Sequence, residues 1–351
     1  MSQPCKTKKA AQRRLPFGWP KSHLVKLFSF GKRYYIRKFQ LGQWPIHTHL
    51  LTLMLSLAML KLEERDKELP ELLQEAANNN HALLLSFIAP DKIVRKSPVF
   101  YDYASISVQD LYNIEKAVSE VEVQGLLPKK IHLVIQTPGG AASIAIKIAK
   151  FLQQKFTDIE AYVPYEAASG GTLLCLSAKT IVMDVTSNLT PIDPQLRYNS
   201  QIISATSYKQ AIEDFQRDFG NQRPEEIPSP YQQMGNQFNP IILKEMEKNV
   251  FDILHVAHQL LLKSQQPVNE IDRNKLIGVV IALGKTNYPH SHIIDAEEAI
   301  NIGLNISSDE DKLELLKLYK RWVSCRLDEA ETTHIIDKYY PTKKQNGKEK
   351  K

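Results

Sequence analysis

Two stretches decide the fold: Leu133-Val-Ile-Gln-Thr-Pro-Gly-Gly140 and Ile159-Glu-Ala-Tyr-Val-Pro-Tyr-Glu-Ala-Ala-Ser-Gly-Gly171. Each begins as an apolar strand and ends in a turn that contains two glycines. A helix is predicted after each turn, because the residues from Ala141 to Gln154 are apolar at helical spacing and Ser169 can open a second helix. The pattern of strand, turn and helix predicts parallel strands with helical crossovers.

The two turns also combine residues that acyl transfer requires. Such a reaction needs an exposed nucleophile and backbone N–H donors that face the developing oxyanion. A serine between small residues at a helix start, such as Ser169, can come close to a substrate and to the positive end of the helix dipole. The plainer interpretation is that both are ordinary strand-to-helix turns, with glycine for backbone reach and Ser169 as an N-cap. Residue chemistry alone leaves both interpretations open.

The stretch around the turns resembles the serine dehydrogenase proteinase family, which is related to signal peptide peptidase A and ClpP within the ClpP/crotonase fold. Four strings carry the resemblance: TPGG at 137–140, VPYEAASGGT at 163–172, IVMD at 181–184 and TPIDPQ at 190–195. A fifth, YPHSHIIDAEEAINIGL at 288–304, is similar to the closing strand-to-helix segment of the family. The resemblance covers roughly residues 80 to 310.

The expected fold class is therefore α/β, with ClpP/crotonase-like repeated ββα units, a mostly parallel sheet and C-terminal helices. Helical spacing predicts one long helix from Leu243 to Lys263, whereas the proline-rich residues 219–240 are expected to form a loop. Five parts are predicted along the chain: a basic arm (1–45), an apolar membrane-associating segment (46–62), a solvated charged spacer broken at Pro70 (63–80), a peptidase domain (81–310), and a C-terminal helix with a disordered Lys-rich tail (311–351).

The resemblance implies a nucleophile and an oxyanion hole. Ser169 would attack the substrate, and the backbone N–H groups of Gly140 and Gly170 would bind the oxyanion. ClpP-like enzymes place a histidine base on the strand that follows the serine helix, but this chain has Asp193 at that place. The departure argues against a triad of the ClpP kind.

Signal peptide peptidase relatives use a serine–lysine pair instead. The string Tyr208-Lys-Gln-Ala-Ile-Glu-Asp-Phe215 resembles their lysine-bearing segment, so Lys209 is the predicted base. A lysine becomes a base when burial disfavours its charged form. The alternative is a solvated surface lysine, which describes most lysines on helices.

Further residues are candidates for lining the site: Gly139, Asp193, His290 and His292. The pattern His290-Ser-His292 by itself could suggest a metal, but no third ligand is near in sequence, so no metal is predicted. No cofactor is predicted either. The three cysteines, Cys5, Cys175 and Cys325, fit no disulfide or metal spacing, which favours a reducing compartment.

Charge divides the chain into two unlike parts. Residues 1–62 contain 12 Lys or Arg and no acidic residue, which leaves 33 basic and 39 acidic residues in the remainder. The apolar run at 50–60 is shorter than the ~20 residues that span a bilayer. It could be a marginal membrane helix, an interfacial helix with basic neighbours on anionic lipid, or a helix buried against the body. The apolar run argues against a nucleic-acid arm, and membrane association is expected.

These features together predict a membrane-associated serine endopeptidase with its catalytic domain on the cytoplasmic side. Its expected partners are a peptide or protein substrate, anionic lipid through residues 1–62, and further copies of itself, without nucleic acid. Two alternatives remain: a non-catalytic membrane scaffold of the same fold, and a crotonase-type acyl-CoA enzyme, which also builds an oxyanion hole from two backbone amides.

Overall fold

The computed structural model describes residues 29–30, 33–34, 68–89, 105–198, 201–284, 289–327 and 334–342. The chain divides into two compact units, Met1–Lys61 and Leu62–Lys351. In the first unit, β1 (Ser29–Phe30) pairs antiparallel with β2 (Arg33–Tyr34). The predicted apolar segment 46–62 lies outside the described residues. No helix in the described part of the chain has the length and apolar character needed to cross a membrane.

The second unit is built on a five-stranded sheet. From one edge to the other, its strands are β11 (Lys338–Tyr339), β3 (Ala82–Ile88), β4 (Lys130–Gln136), β5 (Asp158–Tyr162) and β7 (Thr180–Val182). The first four strands in sequence are parallel, namely β3, β4, β5 and β7. The edge strand β11 runs antiparallel to β3. The predicted α/β class with a mostly parallel sheet is confirmed.

Short strands lie beside the main sheet. Strand β6 (Glu166–Ala167) pairs in parallel with β8 (Asn188–Leu189), and β9 (Gln195–Tyr198) forms a hairpin with β10 (Gln201–Ser204). Strands β5 and β6 lead into the next helix and form a ββα unit of the predicted kind.

Ten helices are described. Their bounds are α1 at 68–80, α2 Val108–Val123, α3 Ala142–Lys155, α4 Gly170–Cys175, α5 Ala205–Phe219, α6 Ser229–Gly235, α7 Pro240–Gln265, α8 Glu270–Leu283, α9 Ala296–Ile302 and α10 Glu310–Leu327. The long helix predicted from Leu243 to Lys263 is α7. Residues 219–240 are not all loop, since they contain α6 and a 3₁₀ turn at Pro224–Glu226.

The sheet separates two hydrophobic cores because successive strand residues point to opposite faces. In β3, Leu83 and Leu85 belong to the core formed with α2, α3, α4, α7 and α8. Leu84, between them, belongs to the core on the other face, which includes residues of α1 and α10. Both faces of β3 are thus covered, as expected for a parallel sheet whose strands are continuously apolar.

The prediction of a solvated spacer at 63–80 is wrong for residues 68–80, the part of it that the structure describes. Helix α1 continues through Pro70, and Leu69, Leu73, Ala76 and Ala77 are buried in the second core. The charged residues that suggested a solvated helix occupy its other positions, so the sequence pattern is that of an amphipathic helix.

The predicted separation of residues 311–351 from the domain is also wrong. Tyr319 and Trp322 of α10 are fully buried in the second core, and residues 334–339 pair along β3. The region predicted as a disordered tail therefore supplies the edge of the sheet. Residues 343–351 lie outside the described part.

Candidate active site

Ser169 has an unusual backbone conformation at the start of α4. Its φ is 48° and its ψ is −104°, values that L-residues rarely adopt. Its N–H donates to Thr190 Oγ1 at 2.8 Å, which ties the turn to the segment after β8. The residue is partly exposed, whereas Gly170 and Gly171 are buried. Strain of this kind costs about 1–3 kcal/mol and clusters at functional sites, where the surrounding structure maintains it.

The first glycine turn approaches the second very closely. Gly139 has φ of 99°, and a Cβ there would lie 3.0 Å from the Ser169 Cβ and 2.7 Å from the Ala168 carbonyl oxygen. Thr137 forms a parallel bridge with Ala167, and the Ala168 N–H donates to the Thr137 carbonyl oxygen at 3.0 Å. Only glycine fits at residue 139, because the two turns share this space.

The orientation of the Gly140 N–H follows from its peptide bond. The Gly139 carbonyl oxygen accepts a hydrogen bond from Ile106 N–H at 2.8 Å. The peptide is trans, so the Gly140 N–H points in the opposite direction, away from Ile106. The Gly140 nitrogen lies 3.4 Å from where a Cβ of Gly170 would be. The predicted pair of oxyanion donors is therefore close together in space.

Within the described part of the chain, the two amides have no hydrogen-bond acceptor. Neither Gly140 N–H nor Gly170 N–H donates to another described residue, and the Ser169 hydroxyl has no hydrogen-bond partner in that part of the chain. Gly140 is exposed. A partly exposed serine next to two unpaired N–H donors has the components of an acyl-transfer site. The catalytic assignment of Ser169, Gly140 and Gly170 stays a prediction.

Asp193 lies on the same segment as Thr190, whose side chain accepts a hydrogen bond from the Ser169 N–H. Its carboxylate is 3 % exposed, and it is 2.7 Å from His290 Nδ1 and accepts a hydrogen bond of 2.6 Å from Ser204 Oγ. Burial by itself raises the pKa of Asp193, but the hydrogen bonds from His290 and Ser204 outweigh burial, so the pKa lies below its usual value. Asp193 is therefore ionised at neutral pH and holds the His290 ring.

The two predicted site-lining histidines have different partners. His290 presents Nδ1 to Asp193, and its side chain is 24 % exposed. His292 Nε2 is 3.0 Å from the Glu298 carboxylate in α9. Ile294, two residues on, pairs with Leu189 of β8 and brings this segment beside the 189–193 chain. His290 is thus joined to Asp193, another predicted site residue.

Lys209 lies in the second turn of α5 and is partly exposed. Its side chain is 46 % exposed, and its amine is 3.6 Å from the Glu213 carboxylate. It borders a cavity of about 470 Å³ whose other lining residues are Ala205, Thr206, Glu247, Val250, Phe251, Leu254, Ile281 and Gly284. Of the two possibilities left open by the sequence, this exposure fits the surface lysine, although the cavity wall beside Lys209 is largely apolar.

The two histidines do not share a ligand cluster in the described part of the chain. His290 and His292 each pair with a different carboxylate, and the described residues include no group of three or more His, Cys, Asp or Glu arranged to hold a metal.

Sequence reasoning overlooked Thr190, although it belongs to the TPIDPQ string. Its side chain accepts from Ser169 N–H, and its carbonyl oxygen accepts from Thr172 Oγ1 at 2.8 Å. A threonine before a Pro-containing segment gives no local signal of such a long-range role, because the contact depends on how β8 packs beside α4.

Comparison with known proteins supports the resemblance. Residues 52–219 match the family model of ClpP-like SDH-type serine proteinases, a range that includes both glycine turns and Lys209. The uncharacterized protein MJ0137 of Methanocaldococcus jannaschii is 26% identical over 279 residues, which cover 79% of this chain and 85% of that protein. MJ1495 of the same organism is 34% identical over 96 residues, which cover 27% of this chain and 31% of that protein.

Among solved structures, a mutant of the 1510-N membrane-bound stomatin-specific protease is similar with a TM-score of 0.36 and 17% identity, over 60% of this chain and 79% of that one. A peptidase from Plasmodium falciparum is similar with a TM-score of 0.32 and 16% identity, over 58% and 92% of the two chains. The resemblance drawn from the two glycine turns is confirmed by the family match, in which residues 52–219 of this chain are similar to the ClpP-like SDH-type serine proteinases.

Proposed function

We propose that this chain is a membrane-associated serine peptidase that hydrolyses peptide bonds through an acyl-enzyme at Ser169. The observation that carries the proposal is the joint geometry of the two turns, in which the strained Ser169 lies beside the N–H groups of Gly140 and Gly170, which donate to no described residue. Attack by the Ser169 hydroxyl would place the carbonyl oxygen of the substrate near both donors. These donors stabilise the tetrahedral intermediate without rearrangement, because the turns are already held in place.

The proposed general base is Lys209, which the family resemblance implies. In the present arrangement its side chain is 46 % exposed and its amine lies 3.6 Å from the Glu213 carboxylate. A peptide bound in the adjacent apolar cavity would cover the side chain and remove water from it. Binding of the substrate is thus the event that would prepare Lys209 for proton transfer.

His290 is the competing candidate for the base. Asp193 is ionised and buried, and it fixes His290 through Nδ1, which leaves Nε2 to accept a proton. This arrangement reproduces the carboxylate-and-imidazole half of a serine triad, with the residues in the chain order Ser169, Asp193 and His290. The contacts that orient His290 exist without substrate, whereas those that would activate Lys209 do not.

Rates of labelling by a fluorophosphonate and of peptide cleavage distinguish the two bases. Lys209→Ala is expected to lower both rates by about 100-fold or more, because general-base catalysis contributes that much. His290→Ala should lower them less. Lys248→Ala is the matched control, since Lys248 is also an exposed helix lysine paired with a glutamate. A larger loss in His290→Ala than in Lys209→Ala would assign the base to His290. If the wild-type protein hydrolysed acyl thioesters but cleaved no unstructured peptide, the crotonase-type alternative would replace the peptidase proposal.

The proposed membrane contact involves residues 1–62, and it rests on their sequence alone. Their 12 basic residues and the apolar run at 50–60 fit attachment to an anionic surface, at about 1 kcal/mol per basic residue near the lipid. The full chain is therefore expected to float with vesicles that contain anionic lipid, more strongly at low salt. A chain that begins at Leu62 should remain in the soluble fraction. Equal recovery of both chains in that fraction would contradict the membrane assignment.

We also propose self-association through the second unit, with the catalytic domain on the cytoplasmic side. Helix α7 exposes Ile241, which is 73 % accessible and which a second copy could cover. Sedimentation of the chain from residue 62 onward as a monomer at micromolar concentration would contradict this part of the proposal.

A further inference from the structure

Three buried polar side chains from distant parts of the sequence meet behind the first glycine turn. Asp110 belongs to α2, Thr137 follows β4, and His334 comes from the C-terminal segment that pairs with β3. They are 1 %, 0 % and 3 % exposed, respectively. His334 Nδ1 lies 3.1 Å from Asp110 Oδ1, and His334 Nε2 lies 3.0 Å from Thr137 Oγ1.

The chain of contacts continues into the turn itself. Thr137 Oγ1 accepts a hydrogen bond from the Gly139 N–H at 3.2 Å. At the other end, Asp110 Oδ2 accepts from the N–H and the hydroxyl of Ser107, at 2.6 Å and 2.9 Å. The array thus links the start of α2 to the peptide that precedes Gly140.

The donors and acceptors in this array have one consistent direction. Burial raises the pKa of Asp110, but the bonds from His334 and Ser107 lower it further than burial raises it, so the carboxylate is ionised and accepts from His334 Nδ1–H. With Nδ1 directed at Asp110, His334 Nε2 faces the Thr137 hydroxyl, and the Thr137 oxygen also accepts from Gly139 N–H. Every polar atom of the array has a partner, as buried polar groups require.

The array resembles a Thr–His–Asp catalytic triad in its order of contacts, but it lacks access to a substrate. Thr137 Oγ1 is buried and already bonded to Gly139. Its position suits a different task. Two hydrogen bonds hold Gly139 on either side: its N–H, in the preceding peptide, donates to Thr137, and its carbonyl oxygen, in the peptide that carries the Gly140 N–H, accepts from Ile106. Together these bonds determine where the Gly140 N–H points.

We propose that the Asp110–His334–Thr137 array holds the 137–140 turn in the form that presents the Gly140 N–H, so that Thr137 and His334 are positioning residues of the oxyanion hole. This role rests on the proposed peptidase function. It also assigns a task to the C-terminal segment, because His334 is stacked on Phe87 of β3 at 4.1 Å between ring centroids. Its neighbour Ile335 pairs with Ile88 of the same strand.

The test measures fluorophosphonate labelling of the full chain as a maximal rate and a half-saturating concentration. Thr137→Val preserves the shape of the side chain but removes the acceptor for Gly139. It is expected to lower the maximal rate by about tenfold or more, less than the loss of a whole oxyanion donor, and to leave the half-saturating concentration nearly unchanged. Thr137→Ser keeps the hydroxyl and should restore the rate to near the wild-type value. His334→Gln leaves one end of the array unpaired and should give an intermediate rate.

Hydrogen exchange of the Gly139 amide supplies a readout that does not depend on catalysis. Exchange should be about tenfold faster in Thr137→Val than in wild type and in Thr137→Ser, because the only described acceptor of that N–H is lost. If Thr137→Val does not fold, the same comparison is made with His334→Gln. The proposal would be overturned if Thr137→Val and His334→Gln labelled and exchanged at the rates of wild type. It would also be overturned if Thr137→Ser labelled as slowly as Thr137→Val. If wild type does not label at all, the peptidase function fails, and the exchange data alone decide on the array.

Discussion

Ser169→Ala is expected to lower peptide cleavage by about three to six orders of magnitude, because loss of a nucleophile leaves only the contribution of the oxyanion hole and binding. The half-saturating substrate concentration should change little, since the Ser169 hydroxyl forms no hydrogen bond with a described residue and is not part of the cavity wall. Cleavage of a fluorogenic or unstructured peptide by the full chain measures both quantities.

The backbone of Ser169 allows a sharper version of this experiment. Alanine at residue 169 keeps the strained φ of 48°, whereas glycine adopts positive φ readily. Ser169→Gly should therefore be as inactive as Ser169→Ala but more stable than wild type, by about 1 kcal/mol or more in the free energy of unfolding. Such an opposition of stability and activity is typical of residues kept in a strained conformation for function.

A matched serine separates chemistry from general disturbance. Ser143 is exposed in the first turn of α3, directly after the first glycine turn, and Ser143→Ala should retain wild-type cleavage and stability. Ser169→Ala that cleaves within about tenfold of wild type would show that another group attacks the substrate.

Gly140→Ala is the second substitution with a large expected effect. Its φ is 144°, and a Cβ at this residue would lie 2.1 Å from the Ile106 nitrogen, a backbone atom that cannot turn aside. The turn must therefore move, and the Gly140 N–H moves with it. We expect cleavage to fall by about 100-fold or more, as with removal of an oxyanion donor. Overpacking should lower the free energy of unfolding by about 1–3 kcal/mol.

Gly125→Ala is the control for backbone strain without a clash. Gly125 has φ of 66°, and no atom lies within 4 Å of where its Cβ would be. Alanine there should cost about 1–2 kcal/mol of stability through the left-handed conformation and leave the rate of cleavage unchanged. If Gly140→Ala lost stability like Gly125→Ala but kept its activity, Gly140 would not be an oxyanion donor.

Much of the fold was predictable because its local signals agree with its packing. The capping box of Ser107 and Asp110 at the start of α2, and the pair of Asp295 and Gly303 that begins and ends α9, are short-range patterns that the structure retains. The errors arose where tertiary contacts override such patterns. Pro70 suggested a break, yet it lies in the first described turn of α1, where proline is tolerated, and the helix buries one face in the core that also contains residues of α10.

The candidate site was predictable only in part, for a similar reason. Both glycine turns were identified, since glycine at close backbone approaches leaves a sequence signature. The pairing of Asp193 with His290, 97 residues apart, has no such signature. His334 was missed because it stands in a segment that reads as a tail, and only its pairing with β3 brings it to Thr137.

The measurement that tests the central claim most directly is mass spectrometry of the full chain after treatment with a fluorophosphonate. The account predicts one covalent adduct per chain, located by peptide fragmentation on Ser169. Heat denaturation before treatment should abolish the adduct, because activation depends on the folded turns. An adduct on another residue, or none on folded wild type that cleaves peptides, would contradict the assignment of Ser169 as the nucleophile.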